Sequence, residues 1–420
     1  MLKVIELFGG IGACTAALRR LNIPHEIVDY VEIDKYAVKS YNAINGTNYE
    51  PQDIKEYNKH FDNIDLIMHG SPCQDFSIAG KQAGGDKGSG TRSSLLYETL
   101  RIVKDIMPKN IIWENVKNLT SKKHIHNLHT YIHTLETYGY TNYYKVLNAK
   151  NYGIPQNRER LFVISTLDKK PFEFPPSIPL DKKLSDLKEE HVDEKYFLSQ
   201  KLINCFMSNG TGKYPRRERF LSNINRKNQE IANAITTIPG NRPTDNFIKV
   251  KVATKKGYQE AYEGDSINIA FPDSKTRRGR VGKQIANTIT CNNNQVIVES
   301  LKYKLCDKLI ETGNIKENDV IKHSYSSDRL KRLTQAVEKE NNISPTLTTR
   351  SDCLGIAVID GEVLRIRKFT PRECWRLMGF EDSDFDKAEK VNSNAQLFKQ
   401  AGNSIVVNVL MAIFKNLLED

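Results

Sequence analysis

Val4-Ile5-Glu6-Leu7-Phe8-Gly9-Gly10-Ile11-Gly12-Ala13-Cys14-Thr15-Ala16-Ala17-Leu18-Arg19-Arg20-Leu21 decides the fold. Val4 to Phe8 is an apolar run of strand length, glycines crowd the next few positions, and Cys14 to Leu21 has the spacing of an amphipathic helix. A strand that turns through glycines directly into a helix opens a βαβ unit, whose ligands sit at the carboxyl end of the strand. The alternation continues outward. Ile27 to Glu32 precedes a helical Lys35 to Asn45, and Ile64 to His69 precedes a helical Leu95 to Met107. Asn110 to Trp113 reads as a strand, Ile125 to Tyr138 as a helix and Arg160 to Ser165 as a late strand. This predicts a doubly wound, Rossmann-like α/β domain with a parallel sheet covered by helices.

The pattern stops at Lys169-Lys170-Pro171-Phe172-Glu173-Phe174-Pro175-Pro176, because dense proline breaks both helix and strand. Beyond it three related fragments begin at Ile231, Ile285 and Ile343, the second being Ile285-Ala286-Asn287-Thr288-Ile289-Thr290-Cys291. Each precedes a polar turn and a strand-like run, which predicts a smaller β-rich second domain with repeated local geometry. Thr370-Pro371-Arg372-Glu373 is a strong helix start, with Thr at the N-cap, Pro at the first position and Glu at the third. Ser404 to Leu418 reads as an amphipathic helix that returns to the N-terminal sheet. The expected domains are 1–170 plus 385–420 for the α/β part and 171–384 for the β-rich part.

Of 420 residues, 39% are apolar and 27% charged, which fits a globular chain and not a disordered, collagenous or membrane one. No apolar run approaches the ~18–20 residues that span a bilayer, so a cytoplasmic protein is expected. Seven unclustered cysteines argue against a disulfide framework or a structural zinc site, and no metal is expected. The net charge of +11 favours polyanionic partners. Most of it lies in residues 201–283, where 17 Lys/Arg face 7 Asp/Glu.

Glu32 follows Gly12 by about 20 residues, the usual spacing to an acid that accepts the ribose hydroxyls of a nucleotide. Asp53-Ile54 is placed to hold an adenine amino group. The pyrophosphate fingerprint wants a third Gly or Ala where this chain has Thr15, so NAD is disfavoured. A nucleoside cofactor without phosphates, such as S-adenosylmethionine, needs only the tight turn and the acid.

Gly70-Ser71-Pro72-Cys73-Gln74 puts a cysteine at the carboxyl end of the third strand, where it is either a nucleophile or a buried thiol. The polar, Gly-rich stretch from Ile78 to Arg92 has the length and composition of a mobile lid. Glu114 ends the next strand at the same edge, as an acid facing Cys73 or as a cap. Arg158 and Arg160 alternate on an extended chain and so share a face, either for a phosphate and a base carbonyl or for an ion-pair ladder.

Taken in order, Phe8-x-Gly10-x-Gly12, Pro72-Cys73-Gln74, Glu114-Asn115-Val116, Gln156-x-Arg158-x-Arg160, Thr370-Pro371-Arg372-Glu373 with Arg376-Leu377-x-Gly379-Phe380, and Gly402-Asn403-Ser404 resemble the motifs of DNA (cytosine-5) methyltransferases of bacterial or phage type. The match covers 1 to about 168 and 367–418. The segment between corresponds by position to a target-recognition domain. Glu6 stands where the family often has Asp, and Gln52 where it often has Gly.

The resemblance implies transfer of a methyl group from S-adenosylmethionine to carbon 5 of a flipped cytosine in double-stranded DNA, through a Cys73 adduct. Glu114 would neutralise charge at ring nitrogen 3, Arg160 would bind the position-2 carbonyl and Arg158 a backbone phosphate. It implies cofactor contacts from Phe8, Gly10, Ile11, Gly12, Glu32, Ile33, Asp53, Ile54, Leu95, Asn403 and Ser404. DNA contacts are expected from Gln74, Ser77 and Lys81 in the loop and from Arg277, Arg278 and Arg280 in the second domain. A monomer is expected, with a cognate restriction endonuclease as a possible companion. The alternatives are a tRNA cytosine-5 methyltransferase and a catalytically silent DNA-binding homologue; a nicotinamide dehydrogenase would leave Cys73 and Glu114 unexplained.

Overall fold

The structure is a computed structural model, and it describes residues 1–72, 92–168, 171–198, 248–272, 274–291, 294–301 and 363–418. The chain divides into two compact units. One is Met1–Val192 with Gln284–Gln295 and Phe369–Asp420; the other is Asp193–Lys283 with Val296–Lys368. The expected boundaries therefore shift. Residues 171–192, 284–295 and 369–384 join the α/β unit, and the described fragment of the repeat, 285–291, lies with that unit and not in the β-rich one. The reason is hydrogen bonding: Ala286–Asn287 forms a short strand parallel to Gln156–Asn157. Fragments 231–237 and 343–349 lie outside the described residues.

In the first unit β1 (Leu2–Leu7), β2 (His25–Val31), β3 (Leu66–His69) and β4 (Asn110–Val116) are parallel. Together with β5 (Thr141–Asn148) and β7 (Glu159–Thr166), which flank the short β6 (Gln156–Asn157), they form a sheet of order β2-β1-β3-β4-β7-β5. β7 runs antiparallel to both β4 and β5, so the sheet is mixed where a parallel one was expected. Residues 149–158 are too few for the helical crossover that a parallel return requires. The chain leaves β1 for β2 on one side and returns to β3 on the other. That reversal places a crevice at the carboxyl ends of β1 and β3.

One sheet face is covered by helices at Leu96–Ile106 and Ile125–Thr137. Leu96, Leu100, Val103, Leu128, Tyr131 and Leu135 pack there against Ile5, Leu7, Ile67 and Trp113. Side chains alternate along β1, so Glu6 points away from Leu7 toward α1 (Ala13–Arg20). The N-cap of α1 is Gly12, at φ +82°, and it has no side chain to satisfy the first amides. Glu6 supplies what is missing, accepting from the Thr15 N–H at 3.1 Å and from its hydroxyl. A Cβ on Gly12 would stand 2.8 Å from the Tyr41 ring, which itself stacks on Tyr30.

The C-terminal residues close over this side. Thr370 and Glu373 form the expected capping box of a helix at Pro371–Arg376, and Asp384, on a helix at Asp382–Glu389, pairs with Arg19 at 2.6 Å. Gln400, on a helix at Asn394–Asn403, reaches Ser40 and Tyr36, while Arg20 donates to Gly379 O and to Asn408 of the last helix, Val407–Leu418. That last helix packs on α1.

Residues 394–418 are long and apolar enough by composition to pass as a membrane span, unlike anything expected from the sequence. They are in fact two helices broken at 404–406, with Leu397, Ala401, Val407, Leu410, Ile413 and Phe414 buried in the unit's core.

The second unit is β-rich, as expected. β8 (Ile248–Lys251) pairs with β9 (Tyr258–Ala261), and β10 (Ser266–Asn268) pairs with β11 (Val281–Gly282). With β12 assigned to Ala286–Asn287 of the first unit, β13 (Gln295–Leu301) and β14 (Val363–Lys368) complete the sheet order β11-β10-β13-β14. Val250, Ala261, Ile267, Val296, Val298 and Ile366 form its core.

Candidate active site

The carboxyl edge of the first sheet gathers the glycine turn after β1, Glu32 after β2, Gly70-Ser71-Pro72 after β3 and Glu114 near the end of β4. Glu32 accepts from Gly10 N at 3.1 Å and Asp34 N at 2.8 Å, and Tyr30 OH donates to Gly10 O at 2.6 Å, so the turn and the acid are fixed to one another. Burial raises the Glu32 carboxyl above its ordinary range, and the two amides pull the other way. Beside it Ile33 is 65% exposed, an apolar surface suited to a purine face. Asp53 caps the short turn after it by accepting from Lys55 N at 3.0 Å, while Ile54 is buried in the core. Phe8 and Leu95 are half-buried against the same core, and Ile11 is buried.

These residues fit a nucleoside cofactor. Among the described residues, its chain neighbours apart, no atom lies within 4 Å of where a Cβ on Gly10 would stand, which leaves room there for a ligand against the backbone. Ile54 can offer little beyond backbone, because its side chain is committed to the core.

Ser71, two residues before Cys73, is held from two sides. Trp113 Nε1 donates to its hydroxyl at 2.9 Å and Asn115 Nδ2 to its carbonyl at 3.2 Å. His69, neutral because burial lowers its pKa to about 3, stacks on Trp113 and bonds Tyr131 at 2.8 Å. Neither Ser71 nor Trp113 was singled out from the sequence; alternation along β4, which sets Trp113 and Asn115 on one face, was the available signal. Cys73, Gln74, Ser77 and Lys81 lie outside the described residues, as does the stretch expected to form a lid up to residue 91. Cys14 and Cys374 are buried thiols and Cys291 is exposed.

Glu114 is buried, with Oε2 3.9 Å from the position of a Cβ on Gly70 and Oε1 3.0 Å from Arg160 Nε. Burial raises its pKa, opposed by the Arg160 and Arg158 charges and the Arg160 hydrogen bond. The result is a carboxyl that keeps its proton to higher pH than usual, beside Gly70.

Arg158 departs from its expected role. It is 3% exposed, donating to Ile289 O at 3.0 Å, Gly402 O at 3.2 Å and Ser404 O at 2.7 Å, so its guanidinium ties three segments together and offers nothing to a phosphate. Gln156, buried, completes the joint by donating to Leu377 O at 2.7 Å and accepting from Ile289 N at 3.1 Å. Gly402 must be glycine for close approach: a Cβ would stand 2.4 Å from Cys291 N. Asn403 is exposed with Oδ1 2.9 Å from Cys291 Sγ, and Ser404 is buried. In the second unit Arg278 is exposed and Arg277 half-buried, but Arg280, expected to contact DNA, is 1% exposed and bonded to backbone carbonyls.

Comparison with known proteins speaks to the family and the fold. The family described as C-5 cytosine-specific DNA methylase matches residues 2–419. The chain is 31% identical to the orphan methyltransferase M.SPRI of Bacillus phage SPR, over 99% of this chain and 97% of that one. It is 29% identical to the type II methyltransferase M2.ScrFI of Lactococcus lactis subsp. cremoris, over 100% and 99%. Among solved structures, S. pombe Dnmt2 superposes with a TM-score of 0.52 at 16% identity, covering 100% of this chain and 99% of that one. The Entamoeba histolytica methyltransferase EhMeth does so with 0.54 at 15%, covering 100% and 98%. At those identities the superpositions speak to the fold alone.

Proposed function

From its membership of the C-5 cytosine-specific DNA methylase family, to which this chain belongs and whose activity is DNA (cytosine-5) methylation, we propose that it works with S-adenosylmethionine through a Cys73 adduct, with Glu114 and Arg160 as its partners. The observation that carries this reading is the Glu114 carboxyl, buried, raised in pKa, paired with Arg160 and set against Gly70 three residues before Cys73.

Carbon 5 of cytosine is too weak a nucleophile to take a methyl group unaided. The Cys73 thiolate adds to carbon 6, forming the S–C bond and moving the ring electron pair toward carbon 5. Protonated Glu114 donates to ring nitrogen 3, where negative charge develops, and Arg160 holds both the carboxyl and the position-2 carbonyl. S-adenosylmethionine supplies an electrophilic methyl group when bound. Once carbon 5 carries it, a base removes the carbon-5 proton and the returning electron pair expels the Cys73 thiolate. The residues suited to the cofactor are Phe8, Gly10, Ile11, Gly12, Glu32, Ile33, Asp53, Ile54, Leu95, Asn403 and Ser404. A base stacked in a duplex cannot be attacked, so the cytosine is extruded, with Gln74, Ser77 and Lys81 contacting the DNA beside it.

We further propose a monomer acting in the cytoplasm, with a restriction endonuclease of the same site as its companion. The test is purified Cys73→Ala against the parent protein, assayed for methyl transfer to duplex DNA and to tRNA. Loss of methylation with retained cofactor binding supports the assignment; substantial turnover by Cys73→Ala, or tRNA as the preferred acceptor, contradicts it.

A further inference from the structure

The hairpin of β10 and β11 pairs Ser266 with Gly282 and Ile267 with Val281, and Asn268 N donates to Arg280 O at 2.9 Å to close it. Between them runs 269–280, a loop long enough that compact proteins seldom keep it without a use. Its own polar groups organise it. Buried Arg280 donates to Asn268 O at 3.0 Å, to Ala270 O at 2.8 Å and to Phe271 O. Asn268 Oδ1 accepts from Ala270 N at 3.0 Å and from Arg277 Nη1 at 2.8 Å, and Phe271 O also accepts from Ser274 N at 3.1 Å.

This framework presents Phe271. The residue has φ +50°, a conformation that bulky side chains rarely adopt, and it is 72% exposed. Two unfavourable features, a left-handed backbone and an exposed aromatic ring, are thus held in place by a buried arginine. Cations follow it along the loop. The Arg277 guanidinium lies 5.6 Å from its centroid, and Lys275 and Arg278 are exposed, with no ion pair among the described residues.

An exposed aromatic ring with one guanidinium beside it and two exposed cations within seven residues of chain complements a polyanion whose interior offers flat faces, namely a base step of duplex DNA flanked by phosphates. Resting on the reading of this chain as a DNA methyltransferase, we propose that Phe271 is a specificity-determining wedge that stacks on bases of the bound duplex. Arg278 and Lys275 contact the flanking phosphates, and Arg280 and Arg277 are positioning residues that hold the loop in shape. The arginine cluster noticed in the sequence thus divides between scaffold and contact.

The experiment begins with bisulfite sequencing of DNA from cells expressing the full chain, to locate the methylated site. A duplex carrying that site and a scrambled duplex of equal composition are then titrated by fluorescence anisotropy. Phe271→Ala should weaken binding to the site duplex about ten- to a hundredfold, as loss of one stacked aromatic does, with little change on the scrambled duplex and the same salt slope. Phe271→Trp should restore most of the affinity, and the melting temperature should be unchanged in both variants. Arg278→Gln should instead lower the salt slope by about one phosphate contact. If the parent protein separates the two duplexes and Phe271→Ala binds the site as tightly as the parent, the wedge is wrong while the methyltransferase reading stands. An equal loss on both duplexes likewise overturns it. A parent protein that leaves DNA unmethylated overturns both.

Discussion

Arg160 Nε lies 3.0 Å from Glu114 Oε1, across the antiparallel pairing of β4 and β7. The register sets Glu114 opposite Phe162 and Val116 opposite Arg160, so acid and base are diagonal neighbours on one face of the sheet, close enough for long side chains to meet.

From this follows a pH dependence. Burial raises the Glu114 pKa and Arg160 lowers it, and the protonated form is the donor. The kcat for methyl transfer should therefore fall as pH rises through the raised pKa. Arg160→Gln should move that alkaline limb to higher pH, since the cation opposing burial is gone, while lowering the plateau. Glu114→Gln should remove the limb and cost about 10²–10⁴ in rate, the usual weight of a general acid. Identical limbs in parent and Arg160→Gln profiles would refute the coupling.

Glu6 predicts a stability effect of opposite sense to most carboxylates. Burial raises its pKa from 4.5 to about 7, against the Thr15 hydrogen bonds. The folded chain then holds a proton that the unfolded chain releases, so its contribution to stability is complete below pH 4.5 and is lost as pH rises to about 7. At roughly 1.4 kcal/mol per pKa unit the swing is at most about 3.5 kcal/mol. Glu6→Gln keeps the polar contact with Thr15 and should flatten urea midpoints measured between pH 5 and 8 relative to the parent. A difference that does not change with pH would place the titration elsewhere.

Arg158 should behave as a clamp. Arg158→Met leaves the carbonyls of Ile289, Gly402 and Ser404 without their donor, at about 1–3 kcal/mol for each one that stays buried and unsatisfied. Chemical denaturation should register that loss, whereas the salt slope of DNA binding should be unaltered. A normal midpoint with a shallower slope would return Arg158 to the phosphate role read from the sequence.

Much of the fold was legible because its signals are local. The strand-glycine-helix order at Val4 to Leu21, the acid at Glu32 and the Thr370 capping box depend on backbone geometry within a few residues or on one βα repeat, and the structure carries all three. The reversed β7 was hidden in the length of 149–158, a limit on connections that apolar periodicity does not report. The fate of 285–291 was hidden further still. Its residue types fit a strand anywhere, and only the carbonyls and amides of Gln156 and Asn157 decided which sheet it joined.

The sequence alone determined the family, the order of the motifs and the edge of the sheet where chemistry gathers, because those follow from residue spacing along a βα-repeated backbone. Only the tertiary structure decided what each charged side chain does. Arg158, Arg160 and Arg280 are chemically alike, yet one joins three backbone segments, one faces an acid and one braces a loop. An arginine takes its role from which buried acceptors surround it, and those acceptors come from residues up to 246 positions away in the chain.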